Sequence, residues 1–146
     1  MKKIVVVLGI KDGARGLYKL IAILSFGNGT VARVLVVDDE FLIRSNAIRM
    51  LDDAGHEVVE AQNADEAIHI LETRGDIEIV FSDIQMPGSM DGVRLLKVIR
   101  DRWPPIRLIL TSGRPLPKEA DLPVGIPFLA KPYQSDQLLG ALQRAA

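Results

Sequence analysis

The chain predicts an α/β domain built on a five-stranded parallel sheet and preceded by an N-terminal extension. Three observations carry that expectation. From Arg33 onward, short apolar runs alternate with stretches whose apolar residues recur at helical spacing. The runs are near-continuous, as strands covered on both faces are. Acids follow two of them closely: Asp38 and Asp39 after Val34-Leu35-Val36-Val37, and Asp83 after the run Ile77 to Phe81.

Each element has its own signal. Val34–Val37 is the first buried strand. Phe41 to Ala54 carries Ile43, Ala47, Met50, Leu51 and Ala54 at helical spacing, and Gly55 stands where a C-terminal cap belongs. Glu57-Val58-Val59-Glu60 is a short strand. Asn63 caps a second helix, with Glu66 three residues on and Ala67, Ile68, Ile70 and Leu71 as its apolar face. Ile77–Phe81 is the third strand. Asp91 to Trp103 is the third helix, with Leu95, Leu96 and Ile99 inward, and Pro104-Pro105 stops it. Ile106–Leu110 and Ile126–Ala130 are the fourth and fifth strands. Between them Pro115, Pro117 and Pro123 leave room only for a short helix near Pro117–Asp121. Gln134 to Ala145 is the last helix, with Leu138, Leu139 and Leu142. Repeated strand–helix units of this kind wind into a flavodoxin-like (βα)5 sheet of order 2-1-3-4-5. Its crevice opens between strands one and three, the strands that Asp39 and Asp83 follow.

Composition narrows the function. The 146 residues fit one domain, and 48% hydrophobic content supplies a core. No cysteine is present, which excludes a disulfide scaffold, a thiolate zinc site and a cysteine nucleophile. Residues 1–32 hold five basic residues and one acid, a charge of +4; the rest carries 13 basic and 18 acidic residues, a charge of −5. That acidic body is a poor nucleic-acid surface. No apolar run approaches the roughly 20 residues that span a bilayer. The start, Lys2-Lys3 before Ile4 to Leu8, has a signal-peptide flavour, but Gly9, Lys11 and Asp12 interrupt it, so the chain reads as cytoplasmic.

Three carboxylates gathered at one sheet edge repel one another unless a hard cation sits among them. Mg2+ prefers oxygen ligands and recruits phosphate, so the acids point to an Mg2+ and phosphoryl site. Five motifs sharpen this: Val36-Val37-Asp38-Asp39-Glu40, Ser82-Asp83-Ile84-Gln85-Met86-Pro87, Met90-Asp91-Gly92, Leu110-Thr111-Ser112-Gly113 and Lys131-Pro132-Tyr133. Together, in this order, they resemble the receiver domain of bacterial response regulators, over residues 33–146. The resemblance implies that Asp83 is the phosphoacceptor, Asp39 a direct metal ligand, Asp38 an acid binding the ion largely through water, and the Gln85 backbone carbonyl the remaining protein ligand. It implies that Lys131 reaches the phosphoryl oxygens, that a cis bond precedes Pro132, and that Ser112 is the switch hydroxyl, with Thr111 its rival. Phe128 matches the switch aromatic, ordinary core packing being the alternative. Gln85 and Arg114 would flank an attacking water. The partners implied are a histidine kinase or histidine phosphotransferase and a downstream protein target, with homodimerisation left open.

Three features depart from the pattern. Gly88-Ser89 lengthens the loop after Met86 by one residue. The proline-rich stretch reshapes the fourth-helix region. Residues 1–32 have no counterpart in the family; Leu17, Leu20, Ile21 and Leu24 read as a helical apolar stripe. Docking of that stripe on a membrane ranks below an added packed element or a tail, and a true start near Val31 is a further reading. His56 and His69, away from strand ends, read as surface residues. The chain reads as a stand-alone receiver, a phosphoacceptor rather than an enzyme beyond self-phosphorylation and self-dephosphorylation. One rival is a haloacid-dehalogenase-like phosphatase, which wants an acid where Gln85 stands. Another is a degenerate receiver or flavodoxin-like nucleotide binder working as a binding module without phosphorylation; a glycine-rich phosphate loop after the first strand would support it, but Asp39-Glu40-Phe41 stands there.

Overall fold

The computed structural model describes residues 3–7, 11–12, 17–18, 21–25, 30–116, 122 and 124–145. The chain divides into two compact units, residues 1–31 and 32–146.

In the first unit, β1 (Lys3–Val7) pairs antiparallel with β4 (Ile21–Ser25), from Lys3 opposite Ser25 to Val7 opposite Ile21. The two-residue strands β2 (Lys11–Asp12) and β3 (Leu17–Tyr18) pair in the same sense. This corrects the helical stripe read over Leu17, Ile21 and Leu24; Leu20 lies outside the described residues. The sequence Ile21-Ala22-Ile23-Leu24 meets a run of equal length, Ile4-Val5-Val6-Val7, and both are rich in residues that favour strands. A spacing rule applied to one segment cannot see a partner 20 residues upstream.

The second unit is the expected doubly wound sheet. Its strands are β5 (Arg33–Val37), β6 (Glu57–Ala61), β7 (Ile79–Asp83), β8 (Arg107–Ser112) and β9 (Phe128–Ala130), all parallel, in the order β6-β5-β7-β8-β9. Counted within this unit, that is 2-1-3-4-5. The helices are α1 (Phe41–Asp53), α2 (Ala64–Thr73), α3 (Gly92–Arg102) and α4 (Ser135–Arg144). The helix expected near Pro117–Asp121 falls outside the described residues.

Strand residues alternate between two cores. Leu35, Val37, Val80, Leu108 and Leu110 pack with Ala67 and Leu71 of α2 and Leu95, Leu96 and Ile99 of α3. Val34, Val36, Ile79, Phe81 and Ile109 pack with Ala47 and Leu51 of α1 and Leu138, Ala141 and Leu142 of α4. Asn63 and Gly55 end their helices as the sequence predicts, whereas Asp91, expected inside the third helix, caps it instead. Asn63 accepts from the Glu66 amide, Asp91 accepts from the Arg94 amide, and Gly55 takes φ +89° just past α1. Two strands run further than their apolar residues suggest. β7 includes Ser82 and Asp83, and β8 includes Thr111 and Ser112, because these polar residues still pair along the ladder: Asp83 lies beside Thr111 and Ser112 beside Ala130. β9 starts at Phe128 rather than Ile126. Among the described residues no helix is long and apolar enough to cross a membrane.

Candidate functional site

The carboxyl ends of β5, β7, β8 and β9 bring the acids together. Asp38 follows β5 directly, and Asp83 is the last residue of β7. One carboxylate oxygen from each of Asp38, Asp39 and Asp83 lies within 4.8 Å of the others. Asp38 and Asp83 are 2% and 3% exposed, and Asp39 is exposed at the rim.

Such burial is tolerable only with partners. Asp38 Oδ1 accepts from the Glu40 amide at 2.9 Å, and Asp83 Oδ1 accepts from the Gln85 amide at 3.2 Å. The Lys131 ammonium faces the remaining oxygens: Asp38 Oδ2 at 2.8 Å, Asp83 Oδ2 at 3.0 Å and Glu40 Oε1 at 3.3 Å. Burial works against the Lys131 charge, but its pairing with Asp38 and Asp83 outweighs this and raises its pKa. The Asp83 pKa rises as well, which for a carboxyl disfavours the charge. Burial raises its carboxyl above the usual value; Lys131 opposes this only in part, and the Asp38 charge adds to it. One ammonium therefore does not neutralise the cluster.

The donor set suits a hard cation. All three side chains offer oxygen. Asp38 Oδ2 is buried without a well-directed hydrogen bond, although Lys131 stands beside it.

The other expected residues surround this centre. Thr111 Oγ1 donates to the Leu129 carbonyl at 2.8 Å and is buried. The Ser112 hydroxyl accepts from the Arg114 amide at 3.1 Å, and the Ser112 carbonyl accepts from the Lys131 amide at 2.9 Å. The Lys131–Pro132 bond is cis. Gln85, Arg114 and Pro132 are exposed. Phe128 is half-buried and packs against the α2/α3 core. Ser89 of the lengthened loop donates to Asp65 Oδ1 at 2.6 Å, which ties that loop to the first turn of α2, and Gly88 takes φ +115°. His69 is exposed as expected. His56 is not a surface residue. It is half-buried, and its Nδ1 accepts from the Ala32 amide at 3.1 Å because the turn after α1 folds back on the start of β5.

Four residues at the site had no role in the sequence reading, although Glu40, Gly92 and Tyr133 stand in its motifs. Glu40 reaches Lys131. Tyr133 is buried with its ring edge-on to Phe81, 5.5 Å between centroids, and burial pushes its hydroxyl up to about 12. Gly92 opens α3 against the Asp83 peptide: a β-carbon there would lie 2.0 Å from the Asp83 carbonyl oxygen. Arg44 donates to the Asp38 carbonyl. Its signal was available, since Arg44, Ala47 and Leu51 share a helical spacing and so one buried face.

Known proteins agree with this geometry. The sequence model of the response regulator receiver domain matches residues 34–143. The sensor kinase CckA of Brucella abortus is 41% identical over 115 residues, which cover 73% of this chain and 12% of that protein. The first such relatives are spanned by the chain over only 12–24% of their length. Among solved structures, the chemotaxis response regulator CheY4 of Vibrio cholerae superposes with a TM-score of 0.70 at 31% identity, over 80% of this chain and 100% of that one. The receiver domain of the hybrid histidine kinase CckA gives a TM-score of 0.64 at 36% identity, over 78% of this chain and 98% of that one. With the family model covering most of the chain, and the sheet order and the acidic strand ends in agreement with it, this protein belongs to the response regulator receiver domain family.

Proposed function

We propose that this receiver takes a phosphoryl group from a phosphohistidine onto Asp83, and signals by a phosphorylation-dependent contact or by passing the group to another histidine. The observation that carries the reading is the buried Asp83 carboxylate, clustered with Asp38 and Asp39 and 3.0 Å from the Lys131 ammonium.

In this reading an Asp83 oxygen attacks phosphorus, the phosphorus–nitrogen bond to imidazole breaks, and the released imidazole takes up a proton. The product is an acyl phosphate on Asp83. Asp38, Asp39, Asp83 and the Gln85 carbonyl would hold Mg2+, which when bound supplies charge to screen the acids and the phosphoryl oxygens. Lys131 exchanges a carboxylate partner for a phosphoryl oxygen. Ser112 is the better switch hydroxyl. Thr111 has its proton committed to Leu129, whereas Ser112 accepts from Arg114 and keeps its own proton to donate. Phe128 follows as the switch aromatic, Arg114 and Gln85 tune the approach of water, and Pro132 shapes the turn that carries Lys131. The function belongs to residues 33–146, with residues 1–32 outside it. The receiver works in the cytoplasm, with a histidine kinase or histidine phosphotransferase as the donor and a protein target as the recipient of the signal.

Incubation with acetyl phosphate and Mg2+, followed by mass spectrometry of the intact chain, tests this. One phosphoryl adduct is expected, labile to hydroxylamine and absent from Asp83→Asn and from chelated samples. An adduct that persists in Asp83→Asn, or none from acetyl phosphate or a phosphohistidine donor, overturns the reading.

A further inference from the structure

A second cation touches the acidic turn from inside the protein. Arg44 is 8% exposed on the inward face of α1. Its Nη1 donates to the Asp38 carbonyl at 2.8 Å, and its Nε donates to Glu60 Oε2 at 2.8 Å. Its guanidinium carbon lies 5.7 Å from the centroid of the Phe41 ring. Glu60 sits on β6, in register with Val36 of β5. One planar group thus ties the end of β5, the first turns of α1 and the neighbouring strand. The carbonyl it holds belongs to the peptide that joins Asp38 to Asp39. A guanidinium is costly to bury unless its hydrogen bonds are well made. Here two directed bonds and an aromatic ring hold it against that peptide.

We propose that Arg44 is a positioning residue for the cation site: it fixes the peptide between Asp38 and Asp39 so that both carboxylates converge with Asp83, and Glu60 orients it from β6. The inference rests on the cation-binding reading above. Charge alone argues the opposite way. A guanidinium near the acids repels an incoming cation, so its removal should tighten binding if charge were its only role. Loss of positioning weakens binding instead. Lysine keeps the charge but lacks the planar fork needed to reach two acceptors in fixed directions.

The test is Mn2+ titration of the full chain, with free ion followed by electron paramagnetic resonance and folding checked by circular dichroism on the same samples. Arg44→Lys and Arg44→Met should each weaken Mn2+ binding about tenfold, as loss of groups that orient metal ligands does. Glu60→Gln should weaken it by a smaller factor, about threefold by the same reasoning. Unchanged or tighter binding in Arg44→Lys, with the wild type binding normally, overturns the inference and leaves the acidic site standing. Absence of saturable binding by the wild type overturns both. If Arg44→Met does not fold, Arg44→Lys and Glu60→Gln decide the matter between them.

Discussion

Single residues in this protein are set by what faces them. His56 is a clear case. Burial lowers its pKa from the ordinary 6.5, and its Nδ1 must stay unprotonated to accept from the Ala32 amide. The unfolded chain therefore binds a proton at His56 before the folded chain does. Stability from this group is complete above about 6.5 and is lost as pH falls through the folded value. His56→Asn offers an acceptor that does not titrate there. Urea unfolding between about pH 7 and 5 should show the wild type losing stability relative to this variant as pH drops; parallel curves would exclude the effect. A single aspartate after an apolar run is commonly a turn former or helix cap; the three were legible because they fall together, at the ends of the first and third strands of one sheet. Glu40 was not, because a charged residue at a helix start ordinarily reads as solvated, and the spacing that marks Arg44 as inward does not say what it touches. Only the fold reveals that one reaches Lys131 and the other is buried against the Asp38 carbonyl.

At the level of elements, the start of α3 is pressed onto the end of β7. The Gly92 amide donates to the Ile84 carbonyl at 2.8 Å, and the space for a β-carbon at Gly92 is filled by the Asp83 carbonyl. Gly92→Ala must push helix and strand apart, with backbone rather than a flexible side chain in the way. A loss of about 3 kcal/mol in urea unfolding is expected, at the upper end for overpacking, together with slower labelling by acetyl phosphate. Stability within about 0.5 kcal/mol of the wild type would contradict the close approach. The helices of the second unit were the most readable elements, since apolar spacing marks them and Asn63 announces its cap in composition. Strand ends were least readable. Ser82, Asp83, Thr111 and Ser112 belong to the ladder through backbone pairing, which side-chain polarity does not report.

For the whole molecule, among the described residues both cores of the second unit are assembled from residues between Ala32 and Ala145. A chain starting at Thr30 should therefore unfold cooperatively, by circular dichroism in urea. A non-cooperative transition would show that the first unit is needed. The sheet order was readable from the alternation of runs, because right-handed crossovers leave few ways to connect them. The first unit was misread because its pairing is non-local. The sheet's flanks have a further consequence. β9 offers only three residues, and at the opposite flank β6 carries exposed Glu57 and Glu60. A short rim on one side and a negatively charged rim on the other make poor templates for a neighbouring backbone. At high concentration, lateral growth into fibrils is thereby discouraged along both rims of this sheet.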